Sequence, residues 1–132
     1  MTNSRRRKYR KKAAYFVTAV QLDLDTDGFT YRKWGDAQRC KAGDWLVENR
    51  GDTYTVDQET FAKTYGLLSP GVFVKTTPVW AEVARESGKI QTKEGATHYQ
   101  AGDYVVFNSS DGTDGYAIEK AVFEEMYEVA DS

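Results

Sequence analysis

A single cysteine, Cys40, excludes an internal disulfide, and a single histidine, His98, leaves no second imidazole for a zinc or proton-relay pair. No apolar run approaches the ~20 residues that span a bilayer. The nearest candidate, Ala13 to Val20 behind a basic stretch, contains Thr18 and no leucine, and it reads as a strand rather than as a secretory signal. With nothing pointing to an oxidising compartment, the expectation is a soluble cytoplasmic protein that does not contact a membrane. There is also no phosphate-cradling loop, no Gly-x-Ser-x-Gly elbow and no paired-cysteine zinc site. Neither a cofactor nor a catalytic residue is assigned.

What is present is aromatic and charged. Eighteen of 132 residues are Phe, Trp or Tyr, enough with the aliphatics for a folded core. The formal net charge of −2 hides an asymmetry. Arg5, Arg6, Arg7, Lys8, Arg10, Lys11 and Lys12 form a block without acids, which leaves eleven basic against twenty acidic groups elsewhere, a net of −9. The sequence therefore describes an acidic body carrying a basic N-terminal arm over residues 1–13. Such an arm suits nucleic-acid phosphates, and those seven cations are the candidate contacts.

The phrase "KAGDWLVEN" (Lys41 to Asn49) returns as "QAGDYVVFN" (Gln100 to Asn108). Displaced by 59 residues, the chain matches itself at Val20/Val79, Ala37/Ala96, Ala42-Gly43-Asp44/Ala101-Gly102-Asp103, Val47/Val106 and Asn49/Asn108. Displaced by 62, it matches at Tyr54/Tyr116, Phe61/Phe123 and Tyr65/Tyr127. These matches indicate a tandem duplication of a unit of about sixty residues, with repeats over 14–66 and 72–132 and a linker over 67–71.

Each unit reads alike. An extended segment (Tyr15 to Leu24; Val72 to Val83) precedes a short strand (Phe29 to Trp34; Lys89 to Lys93). An Ala-Gly-Asp turn and the strand "WLVEN" or "YVVFN" follow. A turn-rich loop leads to Tyr54–Val56 or Tyr116–Ile118. Asp57 N-caps a short helix, with Phe61 and Tyr65 on one face as Phe123 and Tyr127 are in the second unit. The fold expected is α+β but mostly β: two tandem pseudo-symmetric antiparallel units, each closed by a short helix. Units this small gain by packing against each other.

The motifs Tyr9 to Lys12, Ala19 to Gln21, Gly43 to Trp45 and Phe61 to Tyr65 resemble a small family met in bacteriophage and bacterial genomes. Gly102 to Tyr104 and Phe123 to Glu128 carry the resemblance again. The chain differs in being doubled and in having Ala13 where a proline is common. The resemblance implies an accessory protein and supplies no catalytic residue.

Three features could carry chemistry. "DLDTDG" (Asp23 to Gly28) opens like a calcium loop, but Trp34 stands where a bidentate glutamate is required, so it reads as a solvated turn. Asp44 and Asp103 could act as twin general acids, although each follows a glycine at a strand start, where aspartate caps a turn. Trp34 and Trp80 break the repeat. With Tyr31 and Tyr99 they are the candidate walls of a ligand pocket between the units. The function expected is non-catalytic binding of a protein partner or small ligand. A nucleic-acid-associated role for the arm and an acid/base enzyme using Asp44 or Asp103 are the alternatives.

Overall fold

The structure, a computed structural model, describes residues 6–130. The fold is α+β and mostly β, fourteen short strands and two one-to-two-turn helices among the described residues. In chain order these are β1 (Arg7–Lys11), β2 (Val17–Gln21), β3 (Phe29–Lys33), β4 (Asp36–Cys40), β5 (Trp45–Asn49), β6 (Asp52–Val56), α1 (Gln58–Thr64), β7 (Tyr65–Ser69), β8 (Val72–Lys75), β9 (Val79–Val83), β10 (Gly88–Gln91), β11 (Ala96–Tyr99), β12 (Tyr104–Phe107), β13 (Gly115–Ile118), α2 (Lys120–Met126) and β14 (Tyr127–Val129).

Two five-stranded antiparallel sheets have the orders β6-β5-β2-β8-β7 and β13-β12-β9-β1-β14, and β3-β4 and β10-β11 form separate hairpins. Position for position the sheets correspond, with one crossing. β1, first in the chain, lies between β9 and β14, whereas β8 lies between β2 and β7. Each half of the chain thus contributes its leading strand to the other half's sheet.

Over Arg7–Lys11 the basic segment is therefore a sheet strand rather than a free arm. Its alternation places Tyr9 and Lys11 inward, and Tyr9 packs edge-on against Phe123 at 4.9 Å. Phe73 of β8 packs the same way against Phe61 at 5.1 Å. The like charges are dispersed: Arg6 pairs with Glu82 at 3.0 Å and Arg10 with Glu128 at 2.8 Å. Arg5 lies outside the described residues. The stretch over 67–71, where the sequence predicts a linker, is strand through Ser69, with the turn at Pro70 and Gly71, and the extended segment from Val72 to Val83 is divided between two sheets.

Each sheet is closed by a column of three stacked rings. In one, Phe61 stacks on Trp45 at 4.2 Å and on Tyr65 at 4.7 Å. In the other, Phe123 stacks on Tyr104 at 4.1 Å and on Tyr127 at 4.6 Å. Stacked aromatic pairs add about 0.5–1.5 kcal/mol beyond their burial, which fixes each helix over its sheet. Asp57 caps α1 by accepting from the Glu59 and Thr60 amides. Glu119, its counterpart at α2, makes no side-chain cap bond.

The registers correct one sequence match. Ala19 lies opposite Val47 and Ala81 opposite Val106, so β2 and β9 correspond with Val17 at Val79, not Val20. The first half has three extra residues in the loop containing Asp23 to Gly28, and the second has three extra before Gly115.

Candidate functional site

A cavity of about 610 Å³ lies between the sheets, bordered by both helices and by residues of both halves. Its most unusual feature is a pair of buried lysines. Lys11 on β1 is 6% exposed and Lys75 on β8 is 8% exposed. Each faces, in strand register, the tyrosine that ends a ring column: Lys11 opposite Tyr127 and Lys75 opposite Tyr65. The crossed strands thus place two corresponding amines, one from each half, at the same cavity.

The surroundings are mainly aromatic. Lys75 Nζ lies 5.3 Å from the Tyr65 ring centre and 5.8 Å from that of Tyr116, and Lys11 Nζ lies 6.0 Å from that of Tyr65. Lys75 donates to Asn108 Oδ1 at 2.9 Å. The corresponding amide oxygen, Asn49 Oδ1, is buried without a partner, while Asn49 Nδ2 donates to the Tyr54 hydroxyl at 3.3 Å. Among the described residues neither lysine forms an ion pair with a carboxylate.

An ammonium so placed loses hydration that rings and one amide replace only in part. Burial lowers Lys11 to about 8; burial, followed by repulsion from Lys11, lowers Lys75 to about 7. The same burial pushes Tyr54 up to about 12 and raises Tyr65, Tyr116 and Tyr127. Near neutral pH the site holds amines close to their titration points and phenols that stay protonated.

Of the acids at the margin, Glu119 makes no side-chain hydrogen bond among the described residues and the others are engaged. Asp114 accepts from Thr60 Oγ1 at 3.1 Å and Asn108 Nδ2 at 3.2 Å, with Lys93 Nζ 4.0 Å away. Asp52 pairs with Lys33 at 2.8 Å. Glu94, which burial pushes up, accepts from the Asp57 amide at 2.7 Å. A smaller cavity of about 280 Å³ touches the same two lysines and is bordered also by Lys8, Arg10, Thr76 and Thr77, with no acid in its wall. Thr77 Oγ1 is buried without a partner.

Of the four aromatics proposed as pocket walls, Trp34 and Tyr99 border the larger cavity. Tyr31 does not: its hydroxyl is 2.5 Å from Thr55 Oγ1 and accepts from the Thr55 amide. Trp80 is on the face of β9 opposite Val79 and Ala81, which are buried in the core. Of the basic block, Arg6 and Arg10 are ion-paired and Lys11 points inward, leaving Arg7, Lys8 and Lys12 as its unpaired cations among the described residues.

Asp44 is completely buried and accepts from the Lys41 amide at 2.9 Å, Lys41 Nζ at 3.0 Å and the Gln58 amide at 3.0 Å. Asp103 accepts from the Gln100 amide at 3.0 Å. Both carboxylates bind turns. Among the described residues no three His, Cys, Asp or Glu side chains gather as a metal site, and no helix is long and apolar enough to cross a membrane.

Residue order alone does not single out Lys75, and Lys11 reads as part of the charged block. The available signal was a lysine at an inward position of each strand, after Tyr9 and after Phe73. That correspondence has an offset of 64 residues and lies outside the two displacements, 59 and 62, at which the chain matches itself.

Compared with protein-family models, curated proteins and solved structures, the chain matches none of them. The motif resemblance to a phage and bacterial family gains no assignment from these comparisons.

Proposed function

We propose that the protein is a non-catalytic binding protein, built by tandem duplication, that holds a small ligand between its two sheets. The observation that carries this reading is the cavity of about 610 Å³ with one buried lysine from each half at its wall. That volume lies within the range of about 300–1,000 Å³ that small-molecule sites occupy, and the wall joins aromatic and aliphatic surface to polar and charged groups of the kind that orient a ligand. Maintaining two desolvated amines lowers stability, so their presence at a cavity favours a binding role over a purely structural one.

The test is a thermal-shift screen of a metabolite library against the wild type and Val122→Trp. Val122 is 40% exposed at the cavity margin, so the larger ring obstructs the opening with little disturbance of the core. A ligand that binds only the native state raises Tm by mass action. Compounds that raise Tm in the wild type and not in the variant support the reading. Equal shifts in both proteins place binding elsewhere and reject it.

A further inference from the structure

We infer that Lys11 and Lys75 together form a receptor for an organic carboxylate, whose anionic head lies between the two amines while an apolar, flat body occupies the larger cavity. The inference rests on the cavity reading above and names the class of ligand.

Donor and acceptor counting leads to it. A charged lysine has three N–H donors, and for these two amines the described residues supply one acceptor, Asn108 Oδ1. None of the five carboxylates that border the cavity bonds either amine: Asp114 is committed to Thr60 and Asn108, Asp52 to Lys33, Glu94 to the Asp57 amide and Asp103 to the Gln100 amide, while Glu119 makes no side-chain hydrogen bond among the described residues. A buried cation is stabilised by a charged partner and hydrogen bonds, so a carboxylate supplies what the protein withholds. The neighbouring cavity has no acid in its wall and places Lys8 beside the same two amines, with Arg10 there already paired to Glu128, so unpaired charge on that side is positive and favours an anion over a cation. The tyrosine rings next to the lysines and Trp34 at the margin provide flat surfaces for the body.

The groups facing the amines are Tyr65 of β7, Tyr116 of β13, Tyr127 of β14, Asp114 from the loop before β13, and the two lysines themselves. A carboxylate between the amines favours their charged forms. At a pH of about 8, where burial holds Lys75 largely neutral and Lys11 near half-protonation, binding therefore takes up protons.

The experiment is calorimetric titration with 1-naphthoate and its neutral analogue 1-naphthamide, at about pH 8, in two cationic buffers of different ionisation enthalpy. The proteins are the wild type, Lys75→Met, Lys11→Met and Val122→Trp. The expected result is naphthoate binding with proton uptake, weaker binding of naphthamide by about tenfold or more, and a comparable loss for naphthoate in each Met variant. Replacing a buried amine with methionine keeps the volume and removes a desolvation cost, so both variants fold, as circular dichroism will show. Naphthamide binding equally well, without proton uptake and sensitive to Val122→Trp, overturns the carboxylate assignment and leaves the cavity reading standing. Naphthoate binding that neither Met substitution weakens also overturns it. If neither compound binds, the assignment to flat aromatic carboxylates fails, and the library screen decides the cavity reading separately.

Discussion

Lys75 Nζ donates to Asn108 Oδ1 at 2.9 Å, joining a strand of one sheet to the end of a strand in the other. The corresponding oxygen, Asn49 Oδ1, is buried and unpartnered, with Lys11 as the corresponding lysine. One crosslink is closed and its counterpart is open. The inter-sheet region is thus built symmetrically but completed on one side, and its pH behaviour follows from that.

Native Lys75 and Lys11 lose their protons near pH 7 and 8, whereas unfolded lysine does so at 10.5. Between those values the unfolded chain holds protons that the native state lacks, so stability increases with pH, by up to about 1.4 kcal/mol per pH unit per lysine. Above the ordinary tyrosine value of 10.0 the sign reverses, because native Tyr54 keeps its proton until about 12. Denaturant midpoints across this range will show a maximum on the alkaline side of neutrality, and Lys75→Met will raise stability at pH 7 and flatten the rising limb.

The crossed strands bring the two ends of the described chain together: the Ala130 amide donates to the Lys8 carbonyl at 2.9 Å. This β14–β1 edge corresponds to the β7–β8 hairpin. A circular permutant joined from residue 130 to residue 6 by a short linker and opened between Pro70 and Gly71 will fold, with a Tm within a few degrees of the wild type. Deleting residues 1–12 removes a strand paired on both sides and will abolish cooperative thermal unfolding.

Gly95 fixes how the two separate hairpins meet. A Cβ there would collide with the Ala37 carbonyl oxygen, where the Gln38–Gly95 bridge forms and the Arg39 amide donates to the Glu94 carbonyl at 2.6 Å. Gly95→Ala will force the backbones apart at a cost of about 1–3 kcal/mol, measurable in a urea titration.

The two aspartates of the Ala-Gly-Asp turns are unequal. Asp44 is fully buried with three donors, and Asp103 receives one backbone amide. Asp44→Ala will cost about 3 kcal/mol by leaving buried donors unpaired, against about 1 kcal/mol for Asp103→Ala, a lost turn cap. Equal losses would mean that the burial of Asp44 has no energetic consequence.

Much of the fold could be read from residue order because its signals are local. Alternation in "WLVEN" and "YVVFN" marks the central strands, Asp57 marks a helix start, and the four-residue spacing of Phe61 and Tyr65 becomes a stacked pair. The crossing of β1 and β8 was not legible. It depends on where Tyr9 and Phe73 find their ring columns, which is a tertiary preference that overrides the appearance of seven clustered cations. Half of the proposed pocket wall, Trp34 and Tyr99, borders the cavity, whereas Tyr31 and Trp80 are placed by their own hydrogen bonds and strand faces. The buried lysines were hidden by composition: a lysine next to arginines reads as surface charge until the strand's inward face is known.

We propose that the inter-sheet cavity holds a ligand, and a native mass spectrum of the protein purified gently from its own host is the first check on that proposal. The expected result is a retained small-molecule mass at one per chain, lost on denaturation and depleted in Val122→Trp purified in the same way. Ligand-free protein in both preparations, or an equal retained mass in both, would contradict it.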